Sequence, residues 1–296
     1  MAKSVASPHF NSPFEIISPV RLTAPVLFNS PHSGRIYPEH FVAASRLDAL
    51  ELRRSEDCYV DQLFSTAVDL GAPLMHALFP RAYVDVNREP YELDPNMFSD
   101  PLPRAANTRS LRVAGGLGTI PRVVSASVEI YPNRIPLAEA YERINNLYKP
   151  YHAQLQRLLG DIRETFGAVL IVDCHSMPSS TRDRRSVRSD FVLGDRFSMT
   201  CAPEIVDTAE RTLTQCGYSV ACNRPFAGGY ITQKYGVPRS GFHALQIEIN
   251  RALYLNERTL EKTVGFDKLF LNISKVCAAI IDSATSEFSA TQCPAE

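Results

Sequence analysis

The sequence has no surplus of charge of either sign. Its 31 basic and 32 acidic side chains leave a formal charge of -1, so no excess positive field is available to hold a nucleic acid backbone or an anionic membrane. No apolar run approaches the roughly 20 residues of a membrane span, and the first residues, MAKSVASPHF, lack the charged-then-apolar order of a secretory signal. These absences predict a cytoplasmic protein with neither a membrane nor a nucleic acid partner. The seven cysteines contain no CxxC pair, and an odd count in a chain of this size predicts free thiols. Repeats and low-complexity blocks are missing, and the 21 prolines are scattered rather than gathered into a linker. There is also no GxSxG elbow, so the sequence signature of one large class of serine hydrolases is absent.

What is present is ordinary globular material, 296 residues of which 45% are hydrophobic, enough for one large core. Residues 1–15 and 284–296 are small and polar and are expected to be loose, flexible ends of a single domain over 16–283. Between them, short apolar runs alternate with longer helical patterns. Strands are predicted at 24–29, 73–79, 83–87, 168–174, 190–194, 219–223 and 243–249. Helices are predicted near 46–70, 136–166, 202–215 and 257–283, with Pro150 kinking or dividing the second. The alternation predicts an α/β fold, a three-layer α/β/α domain with a mixed, mostly parallel central sheet. The long irregular stretch 87–128 and the glycine-containing loop 224–241 are the segments expected to build or cover a binding site.

In such sheets ligands bind beyond the carboxyl ends of the strands. His32 and Gly34 end the first run, Asn87 and Arg88 the third, and Asp173, His175 and Ser176 the fourth. Glu248 lies inside the last, between Ile247 and Ile249, where an unpartnered carboxylate would be costly; Arg251 is its competing partner. Two histidines and a carboxylate suffice for a catalytic metal site with an open position. Asp173, two residues before His175, points to the same side of a strand and suits the role of orienting that imidazole. Glu56, Asp57 and Asp61 open a predicted helix, where carboxylates more often form a solvated face.

PHSG, SEDCYVD, DVNRE, DCHSM, GGYITQKYG and ALQIEINRALY, in that order, resemble the N-formylglutamate amidohydrolase family from about residue 29 to 257. That family is in turn similar to the zinc carboxypeptidase and aspartoacylase fold. The resemblance implies one divalent metal ion, zinc by availability, held by His32, His175 and Asp57, with Glu56 in reserve because Arg35 occupies the place where the carboxypeptidase pattern has its acidic ligand. It implies Glu248 as general base, Arg81 at the scissile carbonyl, and Arg88 with Asn87 at a substrate carboxylate. Gly229 and Tyr230 of GGYITQKYG complete the expected substrate-binding set. The implied reaction is hydrolysis of an N-acyl amino acid, N-formyl-L-glutamate giving formate and L-glutamate. A substrate with two carboxylates needs a second cation, for which TRDRRSVRSD, Arg104, Arg109 and Arg122 are the candidates.

Other readings use the same residues. A different N-acyl amino acid or a small peptide is the alternative small-molecule substrate. A cysteine hydrolase would pair Cys174 with His175, although neighbours on a strand face opposite sides. Two histidines and a carboxylate also serve ferrous oxygenases, and a non-catalytic metal or amino-acid binding protein would need the same pocket. Nothing in the sequence fixes the oligomeric state.

Overall fold

In the computed structural model, which describes residues 12–125, 128–181 and 188–292, the apolar runs form strands wherever a neighbouring edge can take up their backbone groups. The strands are β1 (Phe14–Ile17), β2 (Val26–Ser30), β3 (Leu74–Ala77), β4 (Val123–Ser125), β5 (Val128–Glu129), β6 (Val169–Met177), β7 (Phe191–Gly194), β8 (Val220–Cys222), β9 (Phe242–Asn250), β10 (Leu255–Asn256) and β11 (Glu261–Lys262). β4 pairs with β5 and β10 with β11 in separate ribbons; the rest form one sheet in the order β1-β3-β2-β6-β9-β7-β8. Pairing is parallel from β3 through β2 and β6 to β9, and between β7 and β8. The β1–β3 and β9–β7 joins are antiparallel.

Side-chain parity along the strands produces the two outer layers. Val26, Phe28, Leu170, Val172, Cys174, Leu245, Ile247 and Ile249 face one core. Leu27, Met75, Ala77, Val169, Ile171 and Ala244 face the other. The helices are α1 (Glu39–Ala44), α2 (Ala49–Leu52), α3 (Val60–Leu63), α4 (Leu111–Ala114), α5 (Leu137–Arg143), α6 (Lys149–Phe166), α7 (Pro203–Gln215), α8 (Tyr230–Tyr235) and α9 (Gly265–Gln292). α3, α7 and α9 cover the first face, and α1, α5, α6 and α8 the second. The result is the three-layer arrangement with a mixed, mostly parallel sheet that the alternating pattern predicts.

The differences have local causes. Residues 83–87 form turns, not a strand. Both sides of β3 are already paired, by β1 and β2, and side chains serve this segment instead: His152 Nε2 meets the Val86 carbonyl at 2.8 Å and Tyr148 donates to the Arg88 carbonyl at 2.7 Å. Residues 46–70 break into short α and 3₁₀ pieces rather than one helix, with Tyr59 in the left-handed region. Pro150 leaves the helical segment unbroken, because it falls in the first turn of α6 just after a π turn at Ile144–Tyr148. The expected flexible tail is also corrected: α9 runs on to Gln292, since Ala284 and Phe288 continue its buried stripe. Residues 1–11 and 293–296 of the two expected loose ends lie outside the described residues, and Phe14 already belongs to β1. By length and composition the stretch Gly265–Ala290 passes as a membrane span, but in this fold its Leu269, Ile273, Val276 and Ile280 are buried in the core shared with α7.

Candidate active site

The site forms at the carboxyl end of the sheet because parity places four polar side chains on one face. Asp173 and His175 of β6 follow Val169 and Ile171 on the same side, and Gln246 and Glu248 of β9 follow Ala244. Parallel register sets Asp173 beside Gln246 and His175 beside Glu248. β2 brings His32 alongside, with its ring centroid 4.8 Å from that of His175. Gly34 follows in the same turn, and it has to be glycine: a Cβ there would lie 2.0 Å from the Phe79 carbonyl oxygen.

Hydrogen bonds decide which ring nitrogen of each histidine is available. His32 Nε2 lies 2.8 Å from Asp85 Oδ1, so Nε2–H donates and Nδ1 carries the lone pair. His175 lies between two carboxylates, with Nε2 2.9 Å from Asp173 Oδ2 and Nδ1 3.1 Å from Asp57 Oδ2, so Asp173 fixes Nε2–H and Nδ1 would offer its lone pair to an ion on giving up its proton. Asp173 is itself fixed by Asn29 Nδ2 at 2.7 Å, and Asn29 by the Tyr151 hydroxyl at 2.5 Å. Asp57 presents one oxygen. Its Oδ1 accepts from Ser176 and from Arg251 Nη2, each at 3.0 Å, while Oδ2 lies 3.1 Å from His175 Nδ1 and 3.4 Å from His32 Nδ1. His32 Nδ1 is buried and has no hydrogen-bond partner among the described residues. Two imidazole nitrogens and a carboxylate oxygen thus converge from three buried side chains, a donor set that could hold a divalent metal ion. The unpartnered nitrogen is the observation that favours it, because a buried acceptor left unpaired is costly.

Glu56 turns away from this cluster, to Arg53 at 3.0 Å and Tyr37 at 3.3 Å, and Asp61 is paired with Arg35 at 2.6 Å. Of the three adjacent carboxylates only Asp57 joins the histidines. Burial would raise its carboxyl, but His175, His32 and Arg251 hold it well below the usual carboxylate range. Asp85 behaves alike, with Arg88, His32 and Arg81 overcoming the effect of burial. Glu248 is compensated only in part, by the nearby charges of His175, Arg81 and Arg251. Arg251 donates to Ser176, Asp57 and the Arg54 carbonyl instead, and among the described residues Glu248 accepts only from Gln246 Nε2, at 2.9 Å. Burial pushes Glu248 up to about 7.

Glu248, Gln246, His175, Ser176, Arg251 and Asp85 line a cavity of 1110 Å³ together with His32, Arg81, Asn87, Arg88 and Gly229. The expected substrate-binding residues separate on inspection. Arg81 Nε is held by Asp85 at 3.0 Å. Arg88 lines the cavity, its Nε and Nη1 donating to the carbonyls of Leu117 and Asn87, each at 2.8 Å, and its Nη2 lying 3.6 Å from Asp85 Oδ2. Asn87 is a scaffold element: its Nδ2 lies 3.3 Å from Asp173 and its Oδ1 accepts from Ile231 N–H at 2.8 Å. Gly229 lies against it so closely that a Cβ would sit 2.4 Å from Asn87 Nδ2. Tyr230 is absent from the cavity wall, and its ring packs against His152 at 5.8 Å. Cys174 faces the opposite core, and burial pushes its thiol well above the ordinary value, which removes it as a nucleophile. Sequence reasoning missed Asp85 as the partner of His32 and Arg251 as the partner of Asp57; each sits within four residues of a recognised motif residue, but its bonds are long-range.

Among known proteins, the chain is 30% identical to N-formylglutamate deformylase of Pseudomonas putida over 79% of this chain and 82% of that protein. It is 29% identical to the protein of the same description from Pseudomonas aeruginosa, over 82% and 87%. The crystal structure of N-formylglutamate amidohydrolase from Ralstonia eutropha JMP134 superposes with a TM-score of 0.87 at 35% identity, covering 93% of this chain and 99% of that one. Residues 24–255 match the N-formylglutamate amidohydrolase family, and all the residues of the converging cluster fall within that span. The chain therefore belongs to the N-formylglutamate amidohydrolase family and is a hydrolase of linear amide bonds.

Proposed function

We propose that the protein hydrolyses N-formyl-L-glutamate to formate and L-glutamate with one divalent metal ion, zinc, held by His32 Nδ1, His175 Nδ1 and Asp57 Oδ2. The observation that carries this reading is the convergence of these buried atoms beside Glu248 in an arginine-lined cavity. When bound, such an ion supplies Lewis acidity, lowering the pKa of a water and polarising the amide carbonyl.

The chain's own residues do the rest. Asp85 and Asp173 keep both imidazoles in the tautomer that offers Nδ1. Arg251 and Ser176 hold Asp57 so that a single oxygen is presented. Glu248, pushed up to about 7 by burial, takes the proton of the attacking water and returns it to the departing amine, a double task suited to a group that titrates near neutrality. Arg81, turned by Asp85, stabilises the negative charge that develops on the carbonyl oxygen. Arg88 offers its remaining donors to the α-carboxylate of the substrate. The cysteines among the described residues are all free, in keeping with a cytoplasmic enzyme.

Formate release from N-formyl-L-glutamate, with a panel of other N-acyl amino acids alongside, tests the assignment. Preferred turnover of the formylated glutamate is the expected result. Faster turnover of another acyl amino acid would leave the chemistry and change the substrate.

A further inference from the structure

Of the six arginines that line the cavity, three have a carboxylate near them. Arg81 has Asp85 at 3.0 Å, Arg251 has Asp57 at 3.0 Å, and Arg88 lies 3.6 Å from Asp85. Arg112 has none within ion-pair distance among the described residues. It stands on α4, whose first turn is capped by Ser110 accepting from Val113 N–H at 3.0 Å. Residue 117 ties it to Arg88: the Leu117 N–H donates to the Arg112 carbonyl at 2.8 Å, and the Leu117 carbonyl accepts from Arg88 Nε at 2.8 Å. Like Gly115 and Leu117, Arg88 and Arg112 both line the cavity. They are close enough for Arg112, after burial, Asp85 and Arg81, to influence the titration of Arg88. Two like charges facing one cavity repel each other unless an anion lies between or beside them.

From this we infer that Arg112 is the specificity-determining residue that takes the second, side-chain carboxylate of an N-acylated acidic amino acid, while Arg88 takes the α-carboxylate. The inference rests on the amidohydrolase reading for its substrate class. The two carboxylates of a glutamyl ligand are separated by a short carbon chain, so both cations must face one cavity, and Arg88 and Arg112 both line it and are linked through Leu117. Arg54 and Arg258 also line the cavity, but both are exposed, where solvent screens an ion pair. The cations the sequence offers for this role fail on position. Arg104 and Arg109 do not line the cavity, Arg122 is bound to Asp94 and Glu129, and 182–187 lie outside the described residues.

The test is isothermal titration of L-glutamate and L-glutamine into the full chain and into Arg112→Gln and Arg112→Glu. Binding needs no turnover, so failure of the amidohydrolase reading is seen separately, in formate release by the parent chain. The parent should bind glutamate about ten- to hundredfold tighter than glutamine. Arg112→Gln should abolish that preference with glutamine affinity unchanged, and Arg112→Glu should reverse it. Retention of the preference in either variant, its absence in the parent, or equal weakening of both ligands would overturn the inference.

Discussion

At the scale of single residues, Glu248 is the sharpest test. Its carboxylate lies in the register position next to His175 but makes no ion pair among the described residues. Glu248→Gln keeps the shape and the bond with Gln246 while removing the proton acceptor. Formate release should fall by about 10²- to 10⁴-fold, with metal content, measured by plasma mass spectrometry, unchanged. Loss of metal in parallel with activity would instead make Glu248 a ligand. The residues most legible in the sequence were those where a polar side chain interrupts or ends an apolar strand, because burial makes such a group expensive without a purpose. His32, His175 and Glu248 were visible on that ground. Asp57 was not distinguishable from Glu56, since the choice depends on Arg53 and Tyr37 claiming one carboxylate and Arg251 the other. Those bonds span up to 194 positions, and no local pattern encodes them.

At the scale of elements, the segment 82–88 shows how the helical layer builds the site. Ala82, Val84 and Val86 alternate like a strand and are buried like one, so the sequence reads as β. The sheet offers no free edge beside β3, and His152 and Tyr148 of the helical segment bind its carbonyls instead. His152 also lies 2.9 Å from the Tyr235 hydroxyl of α8, joining both active-site loops to α6. Burial, followed by Lys234, lowers the His152 pKa from 6.5 to about 4. A histidine whose folded value is depressed stabilises the fold fully above its unfolded value, and that contribution disappears as pH falls toward the folded one. Protonation would turn the Nδ1 acceptor into a donor. Denaturant unfolding of the parent and of His152→Gln between pH 4 and 7 should show the parent's advantage shrinking below about pH 6.5, by about 3 kcal/mol at roughly 1.4 kcal/mol per pH unit. A difference that stays constant with pH would contradict a neutral buried histidine.

At the scale of the whole molecule, the fold class was legible because period-two and period-3.6 patterns are written locally, and their alternation nearly dictates a layered α/β sheet. The strand order was not, since it depends on which edges remain open. The C-terminal stretch misled for a related reason: its small, polar composition reads as loose, yet Ala284 and Phe288 sit on the stripe that α9 presents to the core. Bound metal should tie these segments together, because the turn after β2, β6 and the segment before α3 each contribute one donor. Saturating zinc should raise unfolding free energy by about 2.7 kcal/mol when free metal exceeds Kd a hundredfold, and Asp57→Asn should lose most of that gain. The most direct measurement is metal content per chain together with formate release from N-formyl-L-glutamate, before chelation, after it, and after zinc is returned. One ion per chain, activity lost with the ion and regained with zinc, is the predicted result. Release at full rate from protein free of metal would contradict the assignment of His32, Asp57 and His175.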